Sequence, residues 1–127
     1  MVGGYYDRQR EFYGDISGNR AVAAADTGTI ALVAAIPKHT LYIQVIHVQV
    51  TTLTASEVWT FQDGAGTPVP IAAQSAAALG HFDFDFGSQG VPCTEGTAFN
   101  LVISGATGAI GRVTWEGYKK LTLGAAA

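Results

Sequence analysis

Polar and apolar side chains alternate without interruption between Gly80 and Phe86. Successive side chains of a β-strand point to opposite faces of the sheet, so this pattern predicts a strand with one face in a core and the other in water. The inward set is Phe82, Phe84 and Phe86, and the outward set is His81, Asp83 and Asp85. Strands of this kind bury their apolar faces by packing one sheet on another.

Further strand-like segments occur from residue 28 onward, separated by turn-forming residues. No segment has the apolar period of a helix, and the Ala-rich connection Ala72–Leu79 fits either a loop or a short helix. Parallel sheets need crossover helices, so we expect an all-β fold, an antiparallel two-sheet sandwich of jelly-roll type. The other predicted strands are Gly28–Ile36, Thr40–Thr52, Glu57–Gln62, Val69–Ile71, Thr97–Ser104 and Ile110–Leu123.

The longest of these strands changes phase near its middle. Leu41, Ile43 and Val45 occupy alternate positions, and the apolar residues then continue on the opposite parity from Ile46. A one-residue shift of this kind would turn the apolar face outward, so it predicts a β-bulge or bend near Val45 and Ile46.

The first twenty residues differ from the rest of the chain. Aromatic and charged residues alternate there, and glycines interrupt any regular element. We expect an extended N-terminal arm over residues 1–20 and a β-sandwich domain over residues 21–127. Large aromatic side chains are costly to leave in water, so we expect the arm to dock on this domain, a neighbouring subunit or a partner. The candidate partner-binding residues are Tyr5, Tyr6, Arg8, Arg10, Phe12 and Tyr13.

Charge and cysteine content narrow the function classes. Charged residues form 13% of the 127 positions, about half the usual share, which suggests that a partner covers part of the surface. The net charge of −3 and the lack of a basic stripe argue against nucleic-acid binding. The longest apolar run, Ile30–Ile36, is too short to span a bilayer, and no signal peptide is evident. The single cysteine, Cys93, can form neither an internal disulfide nor a zinc site alone, which fits folding in a reducing compartment. Together these features predict a soluble protein made in the cytoplasm.

Few residues point to catalysis. The spacing of His81, Asp83 and Asp85 would allow them to bind a hard cation or to form an acid–base pair. A metal site, however, needs ligands from more than one strand. A solvent-exposed strand face explains these three polar residues more simply. Cys93 lacks an evident histidine partner, and His39 and His47 lack an evident acid partner. The glycine-rich stretches 63–67 and 105–111 precede strand-like sequence and are interpreted as turns. We therefore expect no catalytic residues, no metal and no cofactor.

Four aromatic residues raise the alternative of carbohydrate binding, in which rings stack on sugar faces. They are Trp59, Trp115, Tyr42 and Tyr118. The competing interpretation places Trp59 and Trp115 in the core, because each alternates with polar neighbours in a strand.

Residues 36–120 resemble small structural proteins of tailed bacteriophages, notably jelly-roll capsid decoration (cement) proteins. The segments that carry this resemblance are Pro37–Gln44 with Thr51–Thr52, Trp59–Pro68 with its Asp-Gly turn, His81–Gly87 with its Phe-x-Phe-Gly ending, and Thr97–Gly105. The resemblance implies a virion protein on the capsid exterior that binds the major capsid protein and reinforces joints between its subunits. It also implies a homo-oligomer, with a trimer favoured and a dimer as the alternative, and no catalytic residues. A tail or baseplate accessory protein is the alternative virion role.

Overall fold

The computed structural model describes residues 13–53, 57–66, 74–75, 79–105 and 107–121. Every regular element within these ranges is a β-strand, which confirms the predicted all-β class. The strands are β1 (Tyr13–Asp15), β2 (Gly18–Val22), β3 (Gly28–Val33), β4 (His39–Thr52), β5 (Glu57–Asp63), β6 (Gln74–Ser75), β7 (Gly80–Asp85), β8 (Val91–Pro92), β9 (Phe99–Gly105) and β10 (Ile110–Leu121).

The strands form two antiparallel sheets. In sheet A the order is β1-β10-β4-β7, and β2 also pairs with β10 while β8 also pairs with β4. Strands β1 and β2 therefore follow one another along the same edge of β10, and β7 and β8 do so along the far edge of β4. Sheet B has the order β3-β9-β5-β6.

The core lies between the two sheets and is filled mainly by alternate residues of β4, β5, β9 and β10. Aromatic rings make contacts from one sheet to the other: Phe61 of sheet B meets Phe84 of sheet A edge to face, with centroids 6.4 Å apart, and Phe99 meets Trp115 in the same way at 6.3 Å. Fully burying one large apolar side chain stabilises a fold by about 1.5–3 kcal/mol, so these rings contribute strongly to sandwich stability. The predicted inward phenylalanines of β7 do pack against this core.

The predicted bulge in the long strand is confirmed. Val45 pairs with Glu116 of β10, but Ile43 pairs with Gly117, so Gln44 is an extra residue on β4. Leu41 and Ile43 before the bulge and Ile46 after it are all fully buried. The extra residue thus restores the apolar face after the change of phase, and β4 contributes to the core along most of its length.

Part of the predicted arm belongs to sheet A. Tyr13 pairs with Lys120 at the start of β1, and β2 continues the ladder along β10 as far as Val22. Residues 13–20 are consequently joined to the sandwich, and the expected division at residue 20 does not coincide with the edge of the sheet. Residues 1–12 lie outside the described residues. In the connection Ala72–Leu79, Gln74 and Ser75 form β6, and its other residues except Leu79 lie outside the described residues.

Candidate functional site

The predicted partner-binding residues lie almost wholly outside the described part of the chain. Tyr5, Tyr6, Arg8, Arg10 and Phe12 fall within residues 1–12. The sixth residue, Tyr13, opens β1 on the outer edge of β10. The segment that carries the other five is therefore joined to the domain at an edge of sheet A.

The outer face of sheet B carries uncharged side chains throughout its described residues. Trp59 and Phe61 of β5 point into the core, so the residues between them point outward. The register of β5 with β9 and of β9 with β3 places the outward residues of the three strands side by side. They are Thr29 and Ala31 on β3, Val58, Thr60 and Gln62 on β5, and Val102 and Ser104 on β9; Asn100 has the same parity but is buried. This uncharged face is suited to close contact with another protein surface, because no charge has to be desolvated when it is covered.

The outer face of sheet A is charged. Its outward residues include Arg112 and Glu116 on β10 and Asp83 and Asp85 on β7. The two faces of the sandwich therefore differ in kind, one suited to water and charged groups and the other to a protein surface.

His47 and Asp83 form a hydrogen-bonded pair across β4 and β7 on this charged face. Nδ1 of His47 lies 2.7 Å from Oδ1 of Asp83, and both side chains are about half exposed or more. The expectation that His47 has no acid partner was wrong, because the register of β4 with β7 brings together residues 36 positions apart. An exposed pair of this kind adds little to stability.

The other members of the predicted cation-binding or acid–base set do not converge. Asp85 accepts a hydrogen bond from the backbone N–H of Gly87 in its own turn, and His81 lies opposite Gln49 of β4. No group of three or more potential ligands suited to a metal occurs among the described residues. The interpretation of these residues as a wet strand face agrees with this arrangement.

A shallow groove crosses the charged face beside the His47–Asp83 pair. We call it the Arg112 groove; its volume is about 240 Å³ and its lining residues are His47, Val48, Gln49, His81, Arg112 and Thr114. Arg112 is held at one wall, where its guanidinium donates a hydrogen bond to Oδ1 of Asn19.

Both tryptophans are core residues. Trp59 is fully buried, and Trp115 is buried with its indole Nε1 donating to the carbonyl oxygen of Ile16 at 2.7 Å. Tyr42 and Tyr118 instead lie on the outer face of sheet A, stacked with ring centroids 4.9 Å apart and an interplanar angle of 7°. Tyr118 borders an open hollow of about 590 Å³ that Asp15 and Gln44 also line.

Cys93 is a free cysteine in the core. It is buried, and burial, reinforced by the nearby charge of Asp63, raises the pKa of its thiol to about 12. A thiol reacts as the thiolate, so this cysteine is inert at neutral pH.

Sequence reasoning missed two buried acidic residues, Glu57 and Asp63, at opposite ends of β5. Oε2 of Glu57 accepts a hydrogen bond from the backbone N–H of Ala109 at 2.7 Å. Oδ2 of Asp63 accepts from the backbone N–H and the hydroxyl of Thr94, at 2.9 and 2.6 Å. Each carboxylate thus links a loop to the sandwich. Glu57 and Asp63 lie on the same parity of β5 as Trp59 and Phe61, and this alternation in the sequence indicates that all four side chains point inward.

No family model, curated protein or solved structure matches this chain. No helix in the described ranges is long and apolar enough to cross a membrane.

Proposed function

We propose that this protein is a structural virion component that binds the outer surface of a phage capsid and reinforces contacts between major capsid subunits. The observation that carries the proposal is the uncharged outer face of sheet B, set against the charged outer face of sheet A. One side of such a domain fits against a protein shell while the other remains in water. The chain acts by binding, as a homo-oligomer for which a trimer is favoured, and it catalyses no reaction.

The strand order supports the proposal. If β1 with β2 and β7 with β8 each count as one interrupted strand, the sandwich has eight strands. Sheet A then holds the first, eighth, third and sixth, and sheet B the second, seventh, fourth and fifth. This order supports the proposal of a jelly roll, an architecture used by viral capsid and lectin domains. A fold hosts many functions, so the order agrees with the proposal without specifying it.

The N-terminal segment adds a second contact in this proposal. Residues 1–12 contain three large aromatic residues, Tyr5, Tyr6 and Phe12, and a fourth, Tyr13, follows directly. Charged residues and glycines lie among them. This segment precedes β1 in the chain, and we propose that it contacts a neighbouring subunit. Several weak contacts made at once by an oligomer bind far more tightly than each contact alone.

Particle binding tests the uncharged face. Thr60→Lys places a charge at its centre, where Thr60 pairs with Val102, and Thr51→Lys places the same charge on the outer side of sheet A as a matched control. We expect T60K to lower the copy number on gradient-purified particles about tenfold or more, because a buried unpaired charge costs several kcal/mol, and T51K to bind normally. Equal occupancy by T60K, in a variant with unchanged thermal unfolding, would refute a docking role for this face.

Deletion of residues 1–12 tests the N-terminal segment, and it removes no described strand. The truncated protein is expected to fold but to lose particle binding or oligomerisation. The copy number of the full chain relative to the major capsid protein separates the virion roles: many copies per particle support decoration, and a handful support a tail or baseplate protein.

Carbohydrate binding remains a second candidate, favoured by one observation. The stacked Tyr42–Tyr118 pair stands beside a hollow that also offers the carboxylate of Asp15 and the amide of Gln44. A pocket with an aromatic wall and a few polar groups is typical of small-ligand sites. Loss of glycan binding in Y118A but not in Y42A would support this role, since Tyr118 lines the hollow and Tyr42 does not.

A further inference from the structure

We infer that the Arg112 groove binds a single oxyanion, the carboxylate or phosphate group of a ligand. The inference concerns the charged face of sheet A and is independent of the proposed docking of sheet B. It rests on the position of the lining side chains, on their hydrogen-bonding capacity and on the way their neighbours hold them.

The strand register brings the lining side chains together. Arg112 of β10 pairs with Gln49 of β4, which pairs with His81 of β7, so these three residues form one row across the sheet. Thr114 pairs with His47, which pairs with Asp83, and this second row lies two residues further along. Neighbouring strands lie about 4.8 Å apart, so both rows are within reach of one small ligand between them.

The polar lining side chains can all donate hydrogen bonds. The guanidinium of Arg112 has five N–H donors in a planar fork, Gln49 offers an amide, Thr114 a hydroxyl, and the two histidines offer ring N–H groups. No acidic side chain lines the groove. A concave site that donates from several sides and includes an arginine selects an oxyanion, because the arginine fork matches the oxygens of a carboxylate or phosphate.

Neighbouring residues fix the two ends of this donor set. Asn19 accepts a hydrogen bond from Nη1 of Arg112, which orients the guanidinium of a side chain that lines the groove. Nδ1–H of His47 donates a hydrogen bond to Asp83, which leaves Nε2 for a ligand; Nε2 donates to an oxyanion when the ring is protonated on both nitrogens. Asp83 does not line the groove, and its negative charge lies on the far side of His47 from Arg112. Side chains held in this way lose little rotamer freedom on binding.

The size of the groove suits a small group. Its 240 Å³ is about eight times the ~30 Å³ that one water molecule takes in the liquid. A carboxylate or phosphate group fits within this space together with a few waters.

The test is a nuclear magnetic resonance titration of the isolated protein with inorganic phosphate and, separately, with acetate, at constant pH and ionic strength. We expect saturable shifts of the His81 and His47 side-chain resonances. In Arg112→Gln, which retains a donor to Asn19, affinity is expected to fall about tenfold, the value of a lost charge-assisted bond. Arg20→Gln is the matched control, since Arg20 lies on the neighbouring strand with Asp26 as its partner at 3.9 Å, and it is expected to bind as the native chain does.

Shifts that grow linearly without saturation, or equal weakening in R112Q and R20Q, would mean that the anions only screen charge and would overturn the inference. Binding of phosphate but not acetate would identify the ligand group as a phosphate. Binding of both with similar affinity would show that a carboxylate group is sufficient for binding. Either result supports an oxyanion site. Because particles are absent from this experiment, its failure and failure of the capsid proposal are separate outcomes.

Discussion

Glu57 and Trp59, two residues apart on β5, point into the core together, and the indole Nε1 of Trp59 donates a hydrogen bond to Oε1 of Glu57 at 3.1 Å. The second carboxyl oxygen accepts from the backbone N–H of Ala109, in the loop before β10. Glu57 is 1% exposed, so bulk solvent does not reach these bonds. A single buried carboxyl group therefore joins the largest core side chain of sheet B to the start of the central strand of sheet A.

Replacing Glu57 by alanine should lower the free energy of unfolding by about 3 kcal/mol, because two buried N–H donors lose their acceptor. Urea unfolding measures the effect. Glu116→Ala is the control, since Glu116 is exposed on β10, and it should change stability by no more than about 0.5 kcal/mol. Similar stability of E57A and the native chain would show that Glu57 is dispensable.

Replacing Asp63 by alanine should destabilise the chain by about 2–3 kcal/mol, because the donors of Thr94 and the backbone N–H of Ala65 lose their acceptor. Amide exchange of Thr94 should accelerate more than that of residues at the other end of the sandwich. Asp85→Ala removes a similar turn contact from an exposed side chain and should cost about 1 kcal/mol or less. An equal loss of unfolding free energy in D63A and D85A would contradict a larger structural contribution of the buried Asp63.

Gly117→Ala should destabilise the fold by about 2 kcal/mol or more, because the added methyl group overlaps the backbone carbonyl oxygen of Tyr42 at the bulge. Backbone atoms in a paired strand cannot move aside without breaking the ladder. Gly14→Ala is the matched control: its nearest neighbour is Cε of Lys119 at 2.6 Å, the end of a flexible side chain that can move. The midpoint temperatures of thermal unfolding of the two variants are compared. Equal midpoints for G117A and G14A would contradict tight packing of Gly117 against the backbone of Tyr42.

Cys93 should resist alkylation in the folded protein at pH 8 and react rapidly once the chain is unfolded. The folded pKa of about 12 lies above the ordinary value of 9.0, so the unfolded chain releases this proton first as the pH rises. The free energy of unfolding should therefore decline between pH 9 and pH 12 through this residue, with its contribution intact below that window. Cys93→Ala removes this part of the decline, and identical pH profiles for the two proteins would refute the shift.

Much of the fold was predictable because its strands alternate clearly. The predicted segment Glu57–Gln62 differs from β5 by one residue at its end, and the predicted Thr40–Thr52 differs from β4 by one at its start. The bulge followed from the change of phase near Val45, since only an extra residue keeps both halves of β4 in the core. The edge strands β1 and β2 were missed because their glycine-rich, charged sequence has no alternation, and their conformation depends on pairing with β10.

The chemistry of the surface and of the buried acids was less predictable, because it depends on register between distant strands. His47 and Asp83 meet only through the pairing of β4 with β7. The row that joins Arg112 to His81 requires two such registers at once. The alternation along β5 predicts that Glu57 points inward. Its role as a hydrogen-bond acceptor could not be predicted, because it depends on the position of Ala109, which is 52 residues away.

The last strand that the structure describes, β10, occupies the middle of sheet A, between β4 on one side and β1 with β2 on the other. During synthesis on a ribosome, β1 and β2 therefore have no partner strand in sheet A until the residues of β10 have been made. The long strand β4 likewise keeps an open edge until β10 has been made. Completion of sheet A therefore depends on β10, and a nascent chain that stops before Ile110 would expose two rows of backbone hydrogen-bonding groups to other chains.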